Sequence, residues 1–579
     1  MAILGIHDAH DAGAAIVSHG SVVSAVNEER FTKRKNDVGF PANAIRYMLK
    51  QVESEEIEKI AIPWYGGSAL FARIMPGLER KRRELWRRTC KKPSRMRMHL
   101  QNVAFRLIQN QNPKAMWRFL GTHIGGSILA NKLRALGLEK KLVFVEHHVA
   151  HASSAYFASG FKEALVITLD GAGDGLSGSV SIGDNGTLTR LATFKASASL
   201  GLLYGAATLA CDMRYSEDEG KLMSLAAYSY PERISELEKI SMYDERKKQL
   251  VSKIGIKYEF ELAEYIKDTI LWKYNREALA YAVQRHTEEQ VLKIVKQFIS
   301  ETKIRNVAVA GGLFSNVIVN MLINELPEVK DFFVFPHMGD GGLALGAAYL
   351  VDFNEHGKLA KKQINNLYFG PEYTNVEIEQ AIKKRAESGG IEYQEVDGIA
   401  KYVASKIAEE NKIVLWFQGR MEYGPRALGN RSVLALPSDP KNRDKVNIII
   451  KRRPYYQPFA STILEEDAQK LLSPYVRPNR FMTVGYRVIP ERFNELVAAS
   501  HIDMTTRPQI LGDENKLYRE VLLEVRNKTG FGALLNTSFN KHGMPIVMSP
   551  EEALWTLDNT GADYLAIGNF FVWKKHKQA

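Results

Sequence analysis

Two stretches more than 130 residues apart share one plan. "MAILGIHDAHDAGAAIVSHGSVVSAVNEE" opens the chain, and "EALVITLDGAGDGLSGSVSIGDNGTLTRLATF" follows from Glu163. Each is a short apolar strand that ends in small residues beside an aspartate, then runs back through further β-like alternation. In the first stretch, "AILGIHDA" and "AGAAIVSHGSVVSAVNEE" read as two strands with a tight turn at His19-Gly20. A duplicated α/β unit, two similar halves facing a cleft, is the simplest fold for such an echo. Two further pieces, "NVAVAGGLFSNVIVNMLI" and "FFVFPHMGDGGLALGAAYL", pass from strand through a glycine loop into a helix. Helix N-termini and loops of this kind suit anionic ligands, because their free N–H groups point outward. Four such loops in one order predict a nucleotide- or phosphate-handling α/β domain.

That domain is expected to span residues 1–360, where the polar stretch "NEHGKLAKKQINNLYFGPEYTN" marks a boundary. Residues 361–579 open with helical patterns and continue into "KIVLWFQGRMEYGPRALGNRSVLALP", which predicts a second, mixed α/β domain. A chain of 579 residues exceeds one core, in keeping with two domains. No signal-peptide flank and no spanning run of about 18 apolar residues is read. With only two cysteines, Cys90 and Cys211, a disulfide framework is excluded and a reducing cytoplasm is the expected compartment.

Between Phe71 and Leu120 stand fourteen Lys/Arg against Glu79 and Glu84, a surplus of twelve that equals the net charge of the whole chain, +12. This segment reads as a basic helical insertion. It is either a solvated face or a peripheral contact with an anionic membrane. No nucleic-acid motif accompanies it, and RNA is not the expected partner.

The chemistry starts at "EHHVAHASSAY". On a helix, His147 and His151 share a face, as metal-binding histidines four apart do. Asp170 closes the strand "ALVITLD" and Asp340 sits in "HMGDGG", each before a glycine turn. Two imidazoles and two carboxylates without a thiolate suit Fe²⁺ or Mn²⁺ at least as well as Zn²⁺. His10, in "GIHDAHDAGAA", is a candidate base for a hydroxyl, with His7 as its competitor. In the C-terminal half, Arg420, Arg426 and Arg431, then Lys451, Arg452, Arg453 and Arg507, are spaced by small residues rather than by helical periods. They stand with Asn536, Thr537, Ser538 and Asn540, the composition of a phosphate or acyl-phosphate site.

Ten motifs in order, from "HDAGAA" and "NEERFTKRK" through "EGKLMSLAAY", "GDGGLALGAA" and "GRMEYGPRALGNRS" to "LNTSFNKHGMPIV", resemble the O-carbamoyltransferase family of nodulation and antibiotic-tailoring enzymes. The resemblance covers nearly the whole chain. It implies an N-terminal actin/hexokinase-like (ASKHA) domain like the threonylcarbamoyladenosine transferases and a YrdC-like C-terminal domain. It further implies that carbamoyl phosphate and ATP, with Mg²⁺, give a carbamoyl-adenylate in the C-terminal domain. The carbamoyl group then passes to a hydroxyl of a small-molecule acceptor in the N-terminal domain, and AMP leaves. By motif, His147, His151, Asp170 and Asp340 match iron ligands, and His10 rather than His7 matches the base. Arg426, Lys451, Arg507 and Ser538, with Arg431 and Asn540, match carbamoyl-phosphate and ATP contacts. Gly311, Gly312 and Asn316 fall where the N-terminal domain would hold the adenylate. Lys35, or its neighbour Lys33, falls on the acceptor side. Gln457 stands where the family usually has an arginine before "PFAP", which puts one phosphate contact in doubt or moves it to Arg453.

The competing readings are a threonylcarbamoyl-type transferase acting on tRNA, with the basic insertion as an RNA arm, and a non-catalytic nucleotide switch of actin-like fold. A homodimer is the default assembly.

Overall fold

The computed structural model describes residues 1–65, 72–81, 119–255, 259–359 and 362–575. The basic insertion of residues 71–120 therefore lies largely outside the described residues. The chain divides into two compact units. One comprises Met1–Glu28 with Asn36–Ile364, the other Glu29–Lys35 with Asn365–Ala579. The short excursion Glu29–Lys35 was not anticipated from sequence, which assigned everything before residue 360 to the first domain.

In the first unit the chain builds the same sheet twice. Strands β1 (Ala2–His7), β2 (Gly13–Ser18) and β3 (Ser21–Asn27) form an antiparallel meander, and β4 (Ile57–Pro63) and β5 (Lys141–Val145) add in parallel on the β1 side, giving the order β3-β2-β1-β4-β5. After β5 come β6 (Glu163–Gly173), β7 (Leu176–Asp184) and β8 (Thr187–Lys195). A small hairpin, β9 (Met242–Asp244) and β10 (Gln249–Val251), precedes β11 (Asn306–Ala310) and β12 (Asp331–Val334). The second sheet is ordered β12-β11-β6-β7-β8, again a meander with two parallel strands added beside its first member. Two copies of this topology make the actin/hexokinase-like fold. The opening stretch holds three strands, not two, because the turn at His19-Gly20 closes a β2–β3 hairpin of its own.

The helix His147–Ser159 follows β5 directly and is buried along nearly its whole length. Glu146 caps it, its carboxylate accepting from the backbone N–H groups of His148 and Val149 at 3.1 and 2.9 Å, an arrangement typically contributing about 1 kcal/mol. It packs against the helix Leu343–His356, where a Cβ on Gly346 would lie 2.0 Å from the Ala150 carbonyl oxygen. Only glycine allows that approach, and it holds the histidine helix close to the helix that follows Asp340.

The second unit is one mixed sheet with helices on both faces. In chain order its strands are β13 (Ile391–Glu395), β14 (Val414–Phe417), β15 (Arg431–Ala435) and β16 (Ala460–Leu464). A two-residue pair, β17 (Tyr486–Arg487) and β18 (Thr505–Thr506), is followed by β19 (Gln509–Leu511), β20 (Ala533–Ser538), β21 (Tyr564–Ile567) and β22 (Phe570–Lys574). The main sheet is ordered β13-β22-β21-β14-β15-β20-β16-β19. Strand alternation sorts its core. Leu415 and Phe417 pack with Ile382 and Leu554 on one face, while Val414 and Trp416 pack with Val403 and Leu522 on the other.

Candidate active site

In the first unit, His147, His151, Asp170 and Asp340 come together, their ligand atoms all within 4.8 Å of one another. His147 and His151 lie one turn apart on the capped helix, Asp170 stands in β6, and Asp340 opens the turn that follows β12. His147 Nε2 is 3.3 Å from Asp170 Oδ2 and 3.7 Å from Asp340 Oδ1. His151 Nε2 is 3.7 and 3.3 Å from the same two oxygens. Metal–ligand bonds of about 2.1 Å in a tetrahedron would set donors about 3.4 Å apart, so the spacing fits a divalent ion. His151 Nε2 is buried and makes no hydrogen bond despite its carboxylate neighbours, which also fits a missing electrophile. The donor set, two imidazoles and two carboxylates, suits Fe²⁺, Mn²⁺ or Zn²⁺.

The electrostatics of the cluster are those of charges that satisfy each other. Burial would depress the His151 imidazolium, but Asp170 and Asp340 hold it up to about 9. Burial would likewise raise both carboxyls, yet His147 and His151 hold Asp170 well below the usual carboxylate range, and His10 and His147 do the same for Asp340. Asp170 is fixed from its other side by the Gly312 N–H, which donates to Oδ1 at 2.9 Å. Gly311, with φ of +104°, makes the turn, and a Cβ there would stand 2.1 Å from the Leu169 carbonyl oxygen.

His10 Nε2 lies 2.9 Å from Asp340 Oδ2, on the carboxylate oxygen that faces away from the histidine pair, and its Nδ1 lies 3.0 Å from Asp11 Oδ2. Its side chain keeps 23% exposure. His7 is fully buried, with Nε2 2.8 Å from the His10 carbonyl oxygen, and burial pushes its imidazolium down to about 4. A base must meet its substrate, and of the two only His10 is accessible. His148, between the two ligand candidates in sequence, points elsewhere, with Nδ1 3.1 Å from Thr168 Oγ1, and burial lowers it to about 3.

Asn316 has a structural task. It caps the helix Val317–Asn324, accepting from the N–H groups of Ile318 and Val319, and pairs with Gln284 through both ends of its amide. Its amide oxygen is thereby committed, and one of its two amide N–H donors is spent on Gln284. The Gly312 N–H is likewise spent on Asp170.

In the second unit, Lys451 is 3% exposed and its ammonium donates to the carbonyl oxygen and Oγ of Ser538 and to both oxygens of Asn540. Burial, reinforced by Arg453 and Lys35, holds it well below its ordinary range. Burial also pushes down Arg426 to about 10 and Arg453 to about 9, and with the charges of Arg426 and Arg453 it lowers Arg507 strongly. The Nε atoms of Arg426, Arg453 and Arg507 are buried without a partner. Among the described residues no carboxylate stands close enough to offset these four cations. Arg431 stands apart. Its terminal nitrogens donate to the carbonyl oxygens of Gln418, Asn430, Gly419 and Pro371, and its guanidinium lies 3.6 Å over the Phe417 ring. It braces the loop before β15 rather than presenting donors to a ligand.

Lys33 bonds to Glu552 and to the Arg30 carbonyl oxygen, and Lys35 acts on Lys451. Both belong to the second unit, where Lys35 stands beside the cationic cluster. Sequence reasoning named Arg453 in the basic cluster and as a substitute for the arginine missing at Gln457. It missed Asp8, gripped by Arg73 at 2.7 and 2.9 Å, and Trp64, whose ring meets His7, His10 and His147. Asp8 had a visible signal in "HDAHD"; Trp64 had none.

Comparison with known proteins agrees with this two-part construction. Residues 2–349 match the family description "Carbamoyltransferase N-terminus" and residues 404–574 match "Carbamoyltransferase C-terminus". The chain belongs to the carbamoyltransferase family. Nodulation protein NolNO of Sinorhizobium fredii is 33% identical over 98% of this chain and 79% of its own length. Nodulation protein NolO of Bradyrhizobium diazoefficiens is 34% identical over 74% of this chain and 79% of its own. An uncharacterized protein of Methanocaldococcus jannaschii is 32% identical over 99% of both. Among solved structures, T. kodakarensis HypF is similar over 62% of this chain and 49% of its own at 14% identity, with a TM-score of 0.37, below the level that establishes a shared fold. The chain is thus a transferase of this family. Among the described residues no helix is long and apolar enough to cross a membrane.

Proposed function

We propose that this carbamoyltransferase makes a carbamoyl-adenylate in its second unit and transfers the carbamoyl group to an acceptor hydroxyl in its first. The observation that carries the reading is the buried group of Lys451, Arg426, Arg453 and Arg507, cations crowded together with no carboxylate partner among the described residues. Unpaired buried charge is costly, and a site of this kind is made for a polyanion such as carbamoyl phosphate beside ATP.

The first half-reaction has a fixed balance. If adenylate and pyrophosphate both form from ATP, the phosphate of carbamoyl phosphate must also leave, with one water consumed. Water splits the carbamoyl–phosphate link, a carbamate oxygen attacks the α-phosphorus, and pyrophosphate departs. Lys451, held by Ser538 and Asn540, and the arginines offset the phosphate charges. In the second half-reaction His10 takes the proton of the acceptor hydroxyl as its oxygen attacks the carbamoyl carbon, and AMP leaves. Both nitrogens of His10 face carboxylates, so one must yield. Asp11, 30% exposed, is the one an acceptor can displace. Asp340, bonded through Oδ2, keeps the ring oriented. His147, His151, Asp170 and Asp340 would hold a divalent ion, which when bound supplies a Lewis acid for the adenylate phosphate. The acceptor is a small hydroxyl compound.

A product balance tests this. With ATP and carbamoyl phosphate, early turnover should yield pyrophosphate and inorganic phosphate in equal amounts and no ADP. ADP as the main nucleotide product would replace this reading with phosphoryl transfer.

A further inference from the structure

Trp64, directly after β4, is 2% exposed and has φ of +94°, a conformation that side chains other than glycine rarely adopt. Such a backbone persists only where its surroundings over-determine it, and it clusters at functional sites. Here the hold is visible on both sides. The Trp64 N–H donates to the Val145 carbonyl oxygen at 2.7 Å, at the end of the strand that leads into the histidine helix. The next N–H, of Tyr65, donates to Asp174 Oδ2 at 3.3 Å, the same oxygen that accepts the His147 N–H at 3.1 Å. The strained residue is thus tied at two points to the start of the helix that carries His147 and His151.

Its indole meets three imidazoles from three places in the chain. It stands edge-on to His147 at 4.5 Å between ring centroids, stacks parallel to the buried His7 at 6.1 Å, and faces His10 edge-on at 6.2 Å. His147 Nδ1 is buried without a hydrogen-bond partner. Among the described residues no polar neighbour therefore sets the plane of that ring from behind, which is the usual device for a ligating histidine. The ring is held instead by packing, with the indole edge-on to it and Gly173 so close that a Cβ there would stand 2.2 Å from His147 Cδ2.

We infer that Trp64 is a positioning residue for the carbamoyl-transfer centre: its ring sets the imidazole plane of His147 toward the metal position. The inference rests on the reading of His147, His151, Asp170 and Asp340 as metal ligands.

The test uses the full chain and its Trp64→Phe and Trp64→Gly variants. Three quantities are measured: Mn²⁺ affinity by titration, thermal stability without metal, and carbamoyl-phosphate-dependent exchange of pyrophosphate into ATP. Trp64→Gly relaxes the backbone and removes the wall, so Mn²⁺ should bind at least about tenfold more weakly, the scale seen when groups that orient ligands are lost. Trp64→Phe keeps a ring and should stay within about threefold of wild type. Both should exchange pyrophosphate within about twofold of wild type, because that step belongs to the second unit. Wild-type Mn²⁺ affinity in Trp64→Gly, with or without a lowered melting temperature, would overturn the inference, as would failure of the wild type to bind Mn²⁺. If Trp64→Gly does not fold, Trp64→Leu takes its place with the same expectation. Should the wild type show no exchange, the adenylate reading fails, while the Mn²⁺ titration still decides the role of Trp64.

Discussion

The two charged clusters of this enzyme are built on opposite principles. In the first unit, imidazoles and carboxylates face one another around one position, so His151 is pushed up and Asp170 and Asp340 are held down. In the second, Lys451, Arg426, Arg453 and Arg507 press like charges together in a buried place, and each is pushed below its ordinary range. An ion entering the first cluster competes with protons already at home there. A polyanion entering the second relieves a repulsion the fold has stored. The difference teaches what each site asks of its ligand before any ligand is seen.

The comparison breaks most sharply at Arg507, which has a buried, unpartnered Nε and two guanidinium neighbours acting on it. Arg507→Met should weaken carbamoyl phosphate binding by about 2–3 kcal/mol, on the order of a hundredfold, the scale of a charged hydrogen bond. It should also raise the stability of the ligand-free protein by about 1 kcal/mol or more, since a buried unpaired charge is replaced by an apolar chain. Denaturant midpoints with and without ligand check both. A variant that lost both affinity and stability would mean the cations are not under strain.

The counterpart in the first unit is Asp340→Asn. It removes the carboxylate shared by His10 and the histidine pair, and should lower metal affinity by at least about 100-fold, the upper end of the scale for groups that only orient ligands, while leaving pyrophosphate exchange within about twofold. Elemental analysis and the exchange assay read the two effects separately. The pH dependence sharpens the contrast further. Burial, with Arg453 and Lys35, depresses Lys451 in the folded protein, so between that lowered value and the ordinary 10.5 the unfolded chain binds the extra proton. Stability of the ligand-free protein therefore rises with pH across that window, and an arriving dianion takes up protons. Titration calorimetry in buffers of different ionisation heat should show this uptake, and Lys451→Met should abolish it. The smallest effect is expected from Glu146→Ala. Losing the cap of the histidine helix should cost about 1 kcal/mol in a denaturant midpoint, with the second unit's chemistry unchanged.

Much of the first unit was legible because its logic is local. A strand that ends in Asp-Gly, or a pair of histidines four apart after a strand, states its position in the fold within a few residues. His147, His151, Asp170 and Asp340 were readable for that reason, and the doubled meander was visible as an echo between distant stretches. What was not legible depends on tertiary packing. Asn316 stands in a glycine-rich loop that looks like a ligand cradle, yet its amide completes a helix cap and a pair with Gln284. Arg431 shares the spacing of the site arginines but is consumed by backbone carbonyls. Trp64 and the Asp8–Arg73 pair act through contacts between segments, which no local pattern announces, and the same holds for the membership of Glu29–Lys35 in the second unit. The basic insertion, the most conspicuous charge pattern in the sequence, falls largely outside the described residues.

The claim that the two clusters serve two separable half-reactions is tested most directly by carbamoyl-phosphate-dependent exchange of labelled pyrophosphate into ATP, with Lys451→Ala and His10→Ala beside the wild type. The account predicts exchange in the wild type, its loss in Lys451→Ala and its retention in His10→Ala. Loss in His10→Ala, or exchange that survives Lys451→Ala, would contradict the division of labour between the two units.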